Sequence, residues 1–327
     1  SRIEYYEKPA ALPSVEPGSL NQDLARRDFT INSMAISLNS ANFGTIIDYF
    51  GGRKDLAEKK IKVLHKLSFI EDPTRIFRAV RFEQRLGFKM DHQTELLALS
   101  TIKMQEAFLE INGVRIRDEL IAILNEKKPW IAVKRLYELK ALKKIGLEIN
   151  SIRIVTTLLR KVSAILETLP ENKNIGMQLW LCYLSVILLD KTSDFINSWC
   201  EKMKIKKKNQ QVIMETVSGF KELKEKISRK ISKNSTIYSL LKNRPSELLV
   251  LLSACGKYSF ENVSIYLRKL SKIKTTITGN DLKYLKYTPS KSYKIVLEKL
   301  LKLKIDGIIK SKEEELLYAK KIFKSIK

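Results

Sequence analysis

Apolar residues follow two patterns in the two parts of this chain. Up to about residue 50, short alternating apolar segments such as residues 43–50 lie among prolines and glycines, which predicts short strands, loops and one helix. From Arg75 onward, apolar residues recur three and four positions apart, as one face of a helix requires. Examples are Ile76, Ala79 and Val80, then Ile116, Leu120, Ile123 and Leu124, then Ile152, Val155, Leu158 and Leu159. The pattern predicts a mainly α chain with one β-prone region at its start.

Residues that end helices divide the helical part into segments. They are Pro129, residues 170–176, Pro245, residues 278–280 and residues 288–290. The chain has 327 residues, of which 44% are hydrophobic. Since a domain typically holds roughly 100 to 200 residues, we expect two or more domains with joints near these breaks.

The net charge of the chain indicates which class of partner it binds. The chain carries 61 basic and 36 acidic residues, a formal net charge of +25, which favours a polyanion as partner. A compositional bias toward lysine is the alternative explanation. The basic residues are densest at 202–208 and 221–233. These stretches are either solvated helix faces or RNA contacts, and if they bind RNA we expect them to bind its backbone.

Two further observations concern location and cysteine chemistry. No run of about 18 uncharged apolar residues is present, and the first residues lack the basic-then-apolar order of a signal peptide. We therefore expect a cytoplasmic protein without a membrane partner. Cys182, Cys200 and Cys255 lie far apart in apolar surroundings and form no zinc or redox motif, so we interpret them as core residues.

The first segment with polar residues that a simple amphipathic helix would not need is Arg26-Arg27-Asp28-Phe29-Thr30-Ile31-Asn32-Ser33-Met34-Ala35. Asp28 and Asn32 are four positions apart and are expected to share a helix face, with Arg26 and Arg27 at the helix start. This would place cations, a carboxylate and an amide together. The alternative is an N-terminal cap by Asp28 with solvated arginines.

The second segment, Asp48-Tyr49-Phe50-Gly51-Gly52-Arg53-Lys54-Asp55-Leu56, leads an apolar strand into a Gly-Gly turn and a helix. Two glycines permit a sharp or left-handed turn. Taken alone, the segment is equally consistent with a purely structural strand exit.

The third segment is Glu71-Asp72-Pro73-Thr74-Arg75-Ile76-Phe77-Arg78-Ala79-Val80-Arg81-Phe82. It predicts a helix start, with Asp72 as the cap and Pro73 at the first helical position. Arg75, Arg78 and Arg81 follow at a spacing of three. We expect such an arginine row to face phosphate or bases.

In this order, the three segments resemble the class II tRNA nucleotidyltransferases, which include the CCA-adding enzymes and the bacterial poly(A) polymerases. The family motifs are similar to Arg-Arg-Asp-Phe-Thr-Ile-Asn-Ala, Asp-x-x-Gly-Gly-x-x-Asp-Leu and Glu-Asp-Pro-x-Arg-x-x-Arg-Ala-x-Arg-Phe. Asn-Gly-Val-Arg-Ile-Arg-Asp-Glu-Leu, residues 112–120, resembles the next motif, although Val114 stands where a Glu is usual. The opening residues 2–16 resemble the A-adding branch.

The resemblance implies a fold and a domain order. We expect a mainly α chain in which a partial α/β nucleotidyltransferase head precedes an all-helical neck, body and tail. The expected segments are the C-terminal part of the head at 1–60, the nucleotide-selecting and RNA-binding neck at 61–128, the body at 129–270 and the tRNA-binding tail at 271–327.

The resemblance also implies an activity, the addition of C, A or both to the 3′ end of tRNA, with tRNA, ATP and CTP as partners and Mg²⁺ as cofactor. The family's metal-binding Asp-x-Asp is absent from the sequence and is expected upstream of Ser1, so no metal ligand is assigned here, and Glu4 would be a third carboxylate. The chain would then be a fragment, or half of a split enzyme completed by another chain. A noncatalytic RNA-binding remnant is the alternative.

The roles implied for single residues centre on Asp72 and Arg75. A carboxylate only accepts and a guanidinium only donates hydrogen bonds, which matches the amine and ring nitrogen that cytosine and adenine present side by side. The alternative is a helix cap and an ion pair. By resemblance, Arg27 and Asn32 would contact the ribose or triphosphate, Asp28 would orient an arginine and Arg78 would support the pocket. The expected RNA contacts are Arg115, Arg117, Lys206, Lys207 and Lys208.

Overall fold

A computed structural model describes residues 2–5, 14–104, 106–108, 113–168, 177–285, 287 and 291–326. The chain forms two compact units, one of residues 1–167 with 178–214 and one of residues 168–177 with 215–327. The four segments anticipated from the sequence stay a prediction. None of the described helices is long and apolar enough to cross a membrane.

Helices dominate both units, and this confirms the mainly α fold. The helices of the first unit are α1 Leu20–Ala25, α2 Gly52–Ala57, α3 Ser68–Glu71, α4 Thr74–Leu86, α5 His92–Lys103, α6 Gly113–Leu124, α7 Pro129–Glu138, α8 Ala141–Lys144, α9 Ile152–Thr168, α10 Leu179–Ile187 and α11 Ser193–Lys202. Helix α12, Lys207–Ile227, continues into the second unit. That unit holds α13 Asn234–Leu241, α14 Ser246–Ser253, α15 Lys257–Arg268, α16 Gly279–Tyr284, α17 Lys291–Ile305 and α18 Lys312–Ile326.

The strands are short and form three separate pairs in the described residues. Antiparallel pairs join β1 Arg2–Tyr5 to β2 Ser14–Pro17, and β3 Ala35–Ile36 to β4 Ile46–Ile47. A parallel pair joins β5 Lys60–Ile61 to β6 Lys89–Met90.

The third pair corrects the expectation that strands end near residue 50. Gly87 ends α4 in the left-handed conformation, with φ of 67°, which turns the chain back beside β5. The Lys89 and Asp91 amides then donate to the carbonyls of Lys59 and Ile61 at 3.1 Å each. Pairing between distant segments, rather than local apolar alternation, therefore creates this strand.

Helix α4 packs against α6 and α7 and forms part of the core of the first unit. Ile76, Ala79 and Val80 of α4 are buried, which confirms the helix face anticipated from their spacing. The face anticipated for α6 is also confirmed, since Ile116, Leu120, Ile123 and Leu124 are buried. The apolar stripes of α4 and α6 therefore place their polar faces side by side, where the candidate site lies.

A small separate core holds the end of the second unit together. It contains Ile277, Leu282, Val296, Leu300, Ile309, Ala319 and Phe323. Tyr287 stacks on Phe323 with ring centroids 3.8 Å apart. Within this region Glu315 is fully buried, and its carboxylate accepts hydrogen bonds from the Thr276 and Ile277 amides and from the Lys304 ammonium.

Candidate functional site

The junction between α3 and α4 presents Asp72, which ends α3 as its C-terminal cap residue. Its Oδ1 accepts hydrogen bonds from the Thr74 amide, at 3.1 Å, and from the Thr74 hydroxyl. Asp72 therefore supports the start of α4, as the capping interpretation anticipates. Pro73, however, lies at the N-cap of α4 rather than at its first helical position.

Arg75, on the first turn of α4, is buried beside Asp72, and both residues are only 5% exposed. Its Nη1 donates to the Ser68 hydroxyl at 2.7 Å, and its Nη2 donates to the Arg26 carbonyl at 3.0 Å. Its Nε lies 3.8 Å from Asp72 Oδ2. Acceptor and donor are thus adjacent, as the sequence suggests, but both already have partners within the protein.

Arg115, on the first turn of α6, bonds to Asp72 Oδ2, the carboxylate oxygen that Thr74 does not use. Its Nη2 donates to Asp72 Oδ2 at 2.5 Å. Arg117 donates to the Lys204 carbonyl at 2.7 Å and to the Asp118 carboxylate at 2.8 Å. These bonds use donors that phosphate groups would need, so RNA contact by the two arginines stays a prediction that would require them to change partners.

Asp28 and Asn32 lie together, although no α-helix joins them. Residues Thr30–Asn32 form a single 3-10 turn, and the Asn32 amide donates to Asp28 Oδ1 at 3.0 Å. The shared helix face expected from the sequence is therefore wrong, while the proximity is right. The reason is that Phe29 is extended, with φ of −136° and ψ of 153°, and forms an antiparallel bridge with Val63, so no helix can run from Asp28 to Asn32.

Asp28 joins this turn to α4 through Arg78. Arg78 Nε donates to Asp28 Oδ2 at 2.9 Å, and Arg78 Nη1 donates to Glu119 Oε1 of α6 at 3.0 Å. Burial lowers the pKa of the Arg78 guanidinium, but these two carboxylates outweigh burial and raise that pKa above its usual value. The arginine that Asp28 binds is therefore Arg78, and the role of orienting an arginine stays a prediction.

The two arginines before Asp28 follow a helix instead of starting one. Arg26 is the C-terminal cap residue of α1, and both Arg26 and Arg27 form ion pairs with Asp23, at 2.6 and 3.3 Å. The expected helix start at this point is therefore wrong. The Arg27 side chain is 43% exposed, so its guanidinium remains accessible to a ligand.

The arginine row of α4 has a partner that the sequence analysis missed. Arg78 and Arg81 both bind Glu119, and Arg85 binds Glu126 at 2.6 Å. A carboxylate of α6 and one just beyond its end therefore meet this row in the structure. Glu119 belongs to the Asp-Glu-Leu part of the 112–120 motif, and that motif was the available signal.

The Gly-Gly segment leads into a helix that holds the Thr30–Asn32 turn in place. Gly51 adopts φ of 75°, and the Asp48 carboxylate caps α2 by accepting from the Gly52 and Arg53 amides at 2.8 and 2.9 Å. Asp55 is buried and accepts from the Thr30 hydroxyl at 2.7 Å. Helix α2 is therefore attached directly to the turn that carries Asp28 and Asn32.

Gly52→Ala is expected to lower the free energy of unfolding by about 3 kcal/mol, because it forces a methyl group into packed backbone. A Cβ there would lie 2.3 Å from the Thr30 carbonyl oxygen. Gly51→Ala is the matched control, since its Cβ meets nothing within 4 Å. It should cost only about 1 kcal/mol for the left-handed backbone. Urea denaturation measures both, and equal losses would show that the Thr30 backbone yields easily.

The metal ion that the resemblance implies finds no fitting site in the described part of the chain. There, no three His, Cys, Asp or Glu side chains come together as a metal site requires. Asp28, Asp55 and Asp72 are held by Arg78, Thr30 and Arg115 instead. Glu4 lies on β1, but its side chain is outside the described residues. No described residue is therefore assigned as a metal ligand.

Comparisons with known proteins give the family that the chain resembles. Residues 1–62 match the Poly A polymerase head domain. The A-adding tRNA nucleotidyltransferase of Geobacter sulfurreducens is 35% identical over 98% of this chain, which spans 37% of that relative's length. A CCA-adding enzyme in complex with CTP is 31% identical, with a TM-score of 0.80, over 94% of this chain and 73% of that one. The Thermotoga maritima CCA-adding enzyme complexed with tRNA is 28% identical, with a TM-score of 0.80, over 100% of this chain and 81% of that one.

Proposed function

Because this chain belongs to the class II tRNA nucleotidyltransferase and poly(A) polymerase family, we propose that it selects the nucleotide and binds tRNA in an enzyme that adds C, A or both to the tRNA 3′ end. The substrates are CTP, ATP and tRNA, and a cytoplasmic location belongs to the same proposal. The observation that carries it is that segments up to 50 positions apart meet in one cluster, where Asp28 binds Arg78 and Arg75 lies beside Asp72.

Base selection is assigned to Asp72 and Arg75. The Asp72 carboxylate would accept from the exocyclic amine of cytosine or adenine, and the Arg75 Nε would donate to the adjacent ring nitrogen. Uracil and guanine present the opposite order of donor and acceptor, and would leave both groups unpaired. The 3.8 Å separation of Arg75 Nε and Asp72 Oδ2 supports this assignment, because it keeps donor and acceptor side by side.

The remaining site residues are assigned to the rest of the nucleotide. Arg27 and Asn32 would contact the ribose or triphosphate, and the exposure of Arg27 supports this role. Arg78 would act indirectly, by holding Asp28 and Glu119 in place. Enzymes of this family generally use a divalent metal. We assign Mg²⁺ to this role, and none of the described residues is assigned as its ligand.

Binding of the tRNA backbone is assigned to the turn between α11 and α12. Its lysines are exposed, namely Lys202, Lys204, Lys206, Lys207 and Lys208, whereas Met203 and Ile205 anchor it in the core. Arg117 holds the Lys204 carbonyl, and Gly113 lies so close that a Cβ would be 2.1 Å from the Lys202 carbonyl oxygen. The turn is therefore fixed at the start of α6, the helix that carries Arg115, and phosphates bound there would lie near the base-selecting residues.

The double substitution Lys207→Gln and Lys208→Gln is expected to weaken tRNA binding and to reduce the salt dependence of the binding constant. Each lysine that neutralises a phosphate contributes about 0.9 to the slope of log K against log salt, so the slope should fall by roughly 2. The measurement is the affinity for labelled tRNA at several salt concentrations.

Lys127→Gln with Lys128→Gln is the matched control, because it removes the same charge from exposed residues after the opposite end of α6. Its slope should change less. If both double variants change the slope equally, binding follows net charge alone, and the assignment to the turn is wrong. If the unsubstituted protein does not bind tRNA at low salt, the proposed function fails.

A further inference from the structure

Arg115 is much more exposed than the Asp72 carboxylate that it contacts, and base selection alone does not explain this contact. The Asp72 side chain is 8% exposed and the Arg75 side chain 7%, whereas the Arg115 side chain is 32% exposed. Among the described residues, Asp72 is the one hydrogen-bond partner of the Arg115 side chain. Of the groups gathered around this carboxylate, Arg115 thus has the easiest path into solvent.

The acceptor capacity of Asp72 is largely used within the protein. Oδ1 accepts two hydrogen bonds from Thr74, one from the amide and one from the hydroxyl. Thr74 is itself buried and starts α4, so those bonds cannot open without disturbing the helix. Oδ2 carries the bond from Arg115. An incoming base amine must therefore approach Oδ2, the atom that already accepts from Arg115.

We propose that Arg115 is a latch on the base-selecting carboxylate, bound to Asp72 Oδ2 in the absence of nucleotide and displaced when any base enters the site beside Asp72. The proposal rests on the function proposed above. It gives Arg115 a positioning role, since Arg115 acts through Asp72 and does not read the base itself.

A physical need accounts for such a latch. A carboxylate in a site shielded from water is strongly destabilised when it lacks a partner. A base-selecting acceptor faces this situation whenever its site is empty. Arg115 supplies a partner in that state, and its guanidinium regains solvation when it leaves.

The latch has a distinctive consequence for binding. Breaking the Arg115 bond costs the same free energy for every base, so it weakens all nucleotides alike and leaves their ratios unchanged. A state that must open before it binds lowers the apparent affinity by the fraction of molecules that are open. Arg115 should therefore affect affinity but not selectivity, whereas Asp72 and Arg75 should affect both.

The test compares dissociation constants for ATP, CTP, GTP and UTP, measured by calorimetry at one salt concentration. Arg115→Gln is expected to bind ATP and CTP about five- to tenfold more tightly, with unchanged ratios to GTP and UTP. Arg115→Lys keeps the charge but lacks the planar fork, and should fall between Arg115→Gln and the unsubstituted protein. Arg115→Lys also serves as the second variant if Arg115→Gln does not fold.

Arg85→Gln is the matched control, because it removes an ion pair between α4 and Glu126, just beyond the end of α6, at a position away from Asp72. It should leave the four constants unchanged. Weaker binding or altered ratios in Arg115→Gln would show that Arg115 helps to hold the base, and unchanged constants would show that it does not compete with it; either result overturns the latch. If the unsubstituted protein binds none of the four nucleotides, the proposed function fails, and the latch fails with it.

Discussion

Replacing Asp72 by asparagine is expected to reduce the preference for C and A over U and G by about 5- to 150-fold, the equivalent of roughly 1 to 3 kcal/mol. The physical reason is the exchange of one acceptor for a donor at nearly constant shape. Asparagine can keep its oxygen toward the Thr74 amide, which places its NH₂ group where Oδ2 accepts from Arg115. The amines of cytosine and adenine would then meet a donor.

Arg75→Ala applies the same test to the second residue of the Asp72–Arg75 pair. Selectivity should fall again, because the donor to the ring nitrogen is lost. This variant should also lose about 3 kcal/mol of unfolding free energy, since the buried Ser68 hydroxyl and the Arg26 carbonyl lose their partner. The combined loss distinguishes Arg75→Ala from Asp72→Asn, which keeps the hydrogen bond to the Thr74 amide and should lose less unfolding free energy.

The measurement is the relative incorporation or binding of all four nucleotides, taken together with melting temperatures. Arg85→Gln, on the same helix, should change neither quantity by much, because the Arg85 side chain of its ion pair with Glu126 is 52% exposed. Unchanged nucleotide ratios in variants that are merely less stable would show that Asp72 and Arg75 are a cap and an ion pair, and would remove the basis for the selection proposed here.

Glu315→Gln is expected to lower the unfolding free energy of the second unit by about 3 to 5 kcal/mol, the usual loss when a buried ion pair is left with one charge. The residue is fully buried, and it joins the Lys304 ammonium to the backbone amides of Thr276 and Ile277. A neutral amide cannot replace the charge, and its NH₂ group has no acceptor among these partners. The measurement is urea denaturation of the two proteins.

The same carboxylate predicts a dependence of stability on pH. Burial raises its pKa, but Lys304 and the two amides outweigh burial and hold the pKa of Glu315 below its usual 4.5. A lowered pKa in the folded state means that the contribution is complete above about pH 4.5 and is lost as pH falls through the folded value. The difference in stability between Glu315→Gln and the unsubstituted protein should therefore shrink in acid.

Glu298→Gln is the matched control within the same unit. Its carboxylate is 49% exposed and lies 3.6 Å from the Lys242 ammonium, a surface pair worth at most about 1 kcal/mol. If Glu315→Gln costs no more than this control, the buried carboxylate does not hold the second unit together.

The sequence alone determined the helical character, the buried faces of α4 and α6, and the segments that carry the site. These features follow from local rules. The spacing of Ile76, Ala79 and Val80 selects one side of a helix whatever lies opposite, and Gly51 permits the left-handed turn wherever the chain later goes. The motif resemblance added which segments belong together, and the structure brings Asp28, Asp72 and Arg78 into one region.

Tertiary structure alone decided which group each charge meets. Periodicity places Arg78 and Arg81 on a polar face, but only the packing of α4 on α6 gives them Glu119 as a partner. Likewise, nothing local in the sequence pairs β6 with β5 or Arg115 with Asp72, 43 positions away. Hydrogen bonds and ion pairs act over a few ångströms in space and take no account of distance along the chain, so partners of this kind are set only when the helices pack.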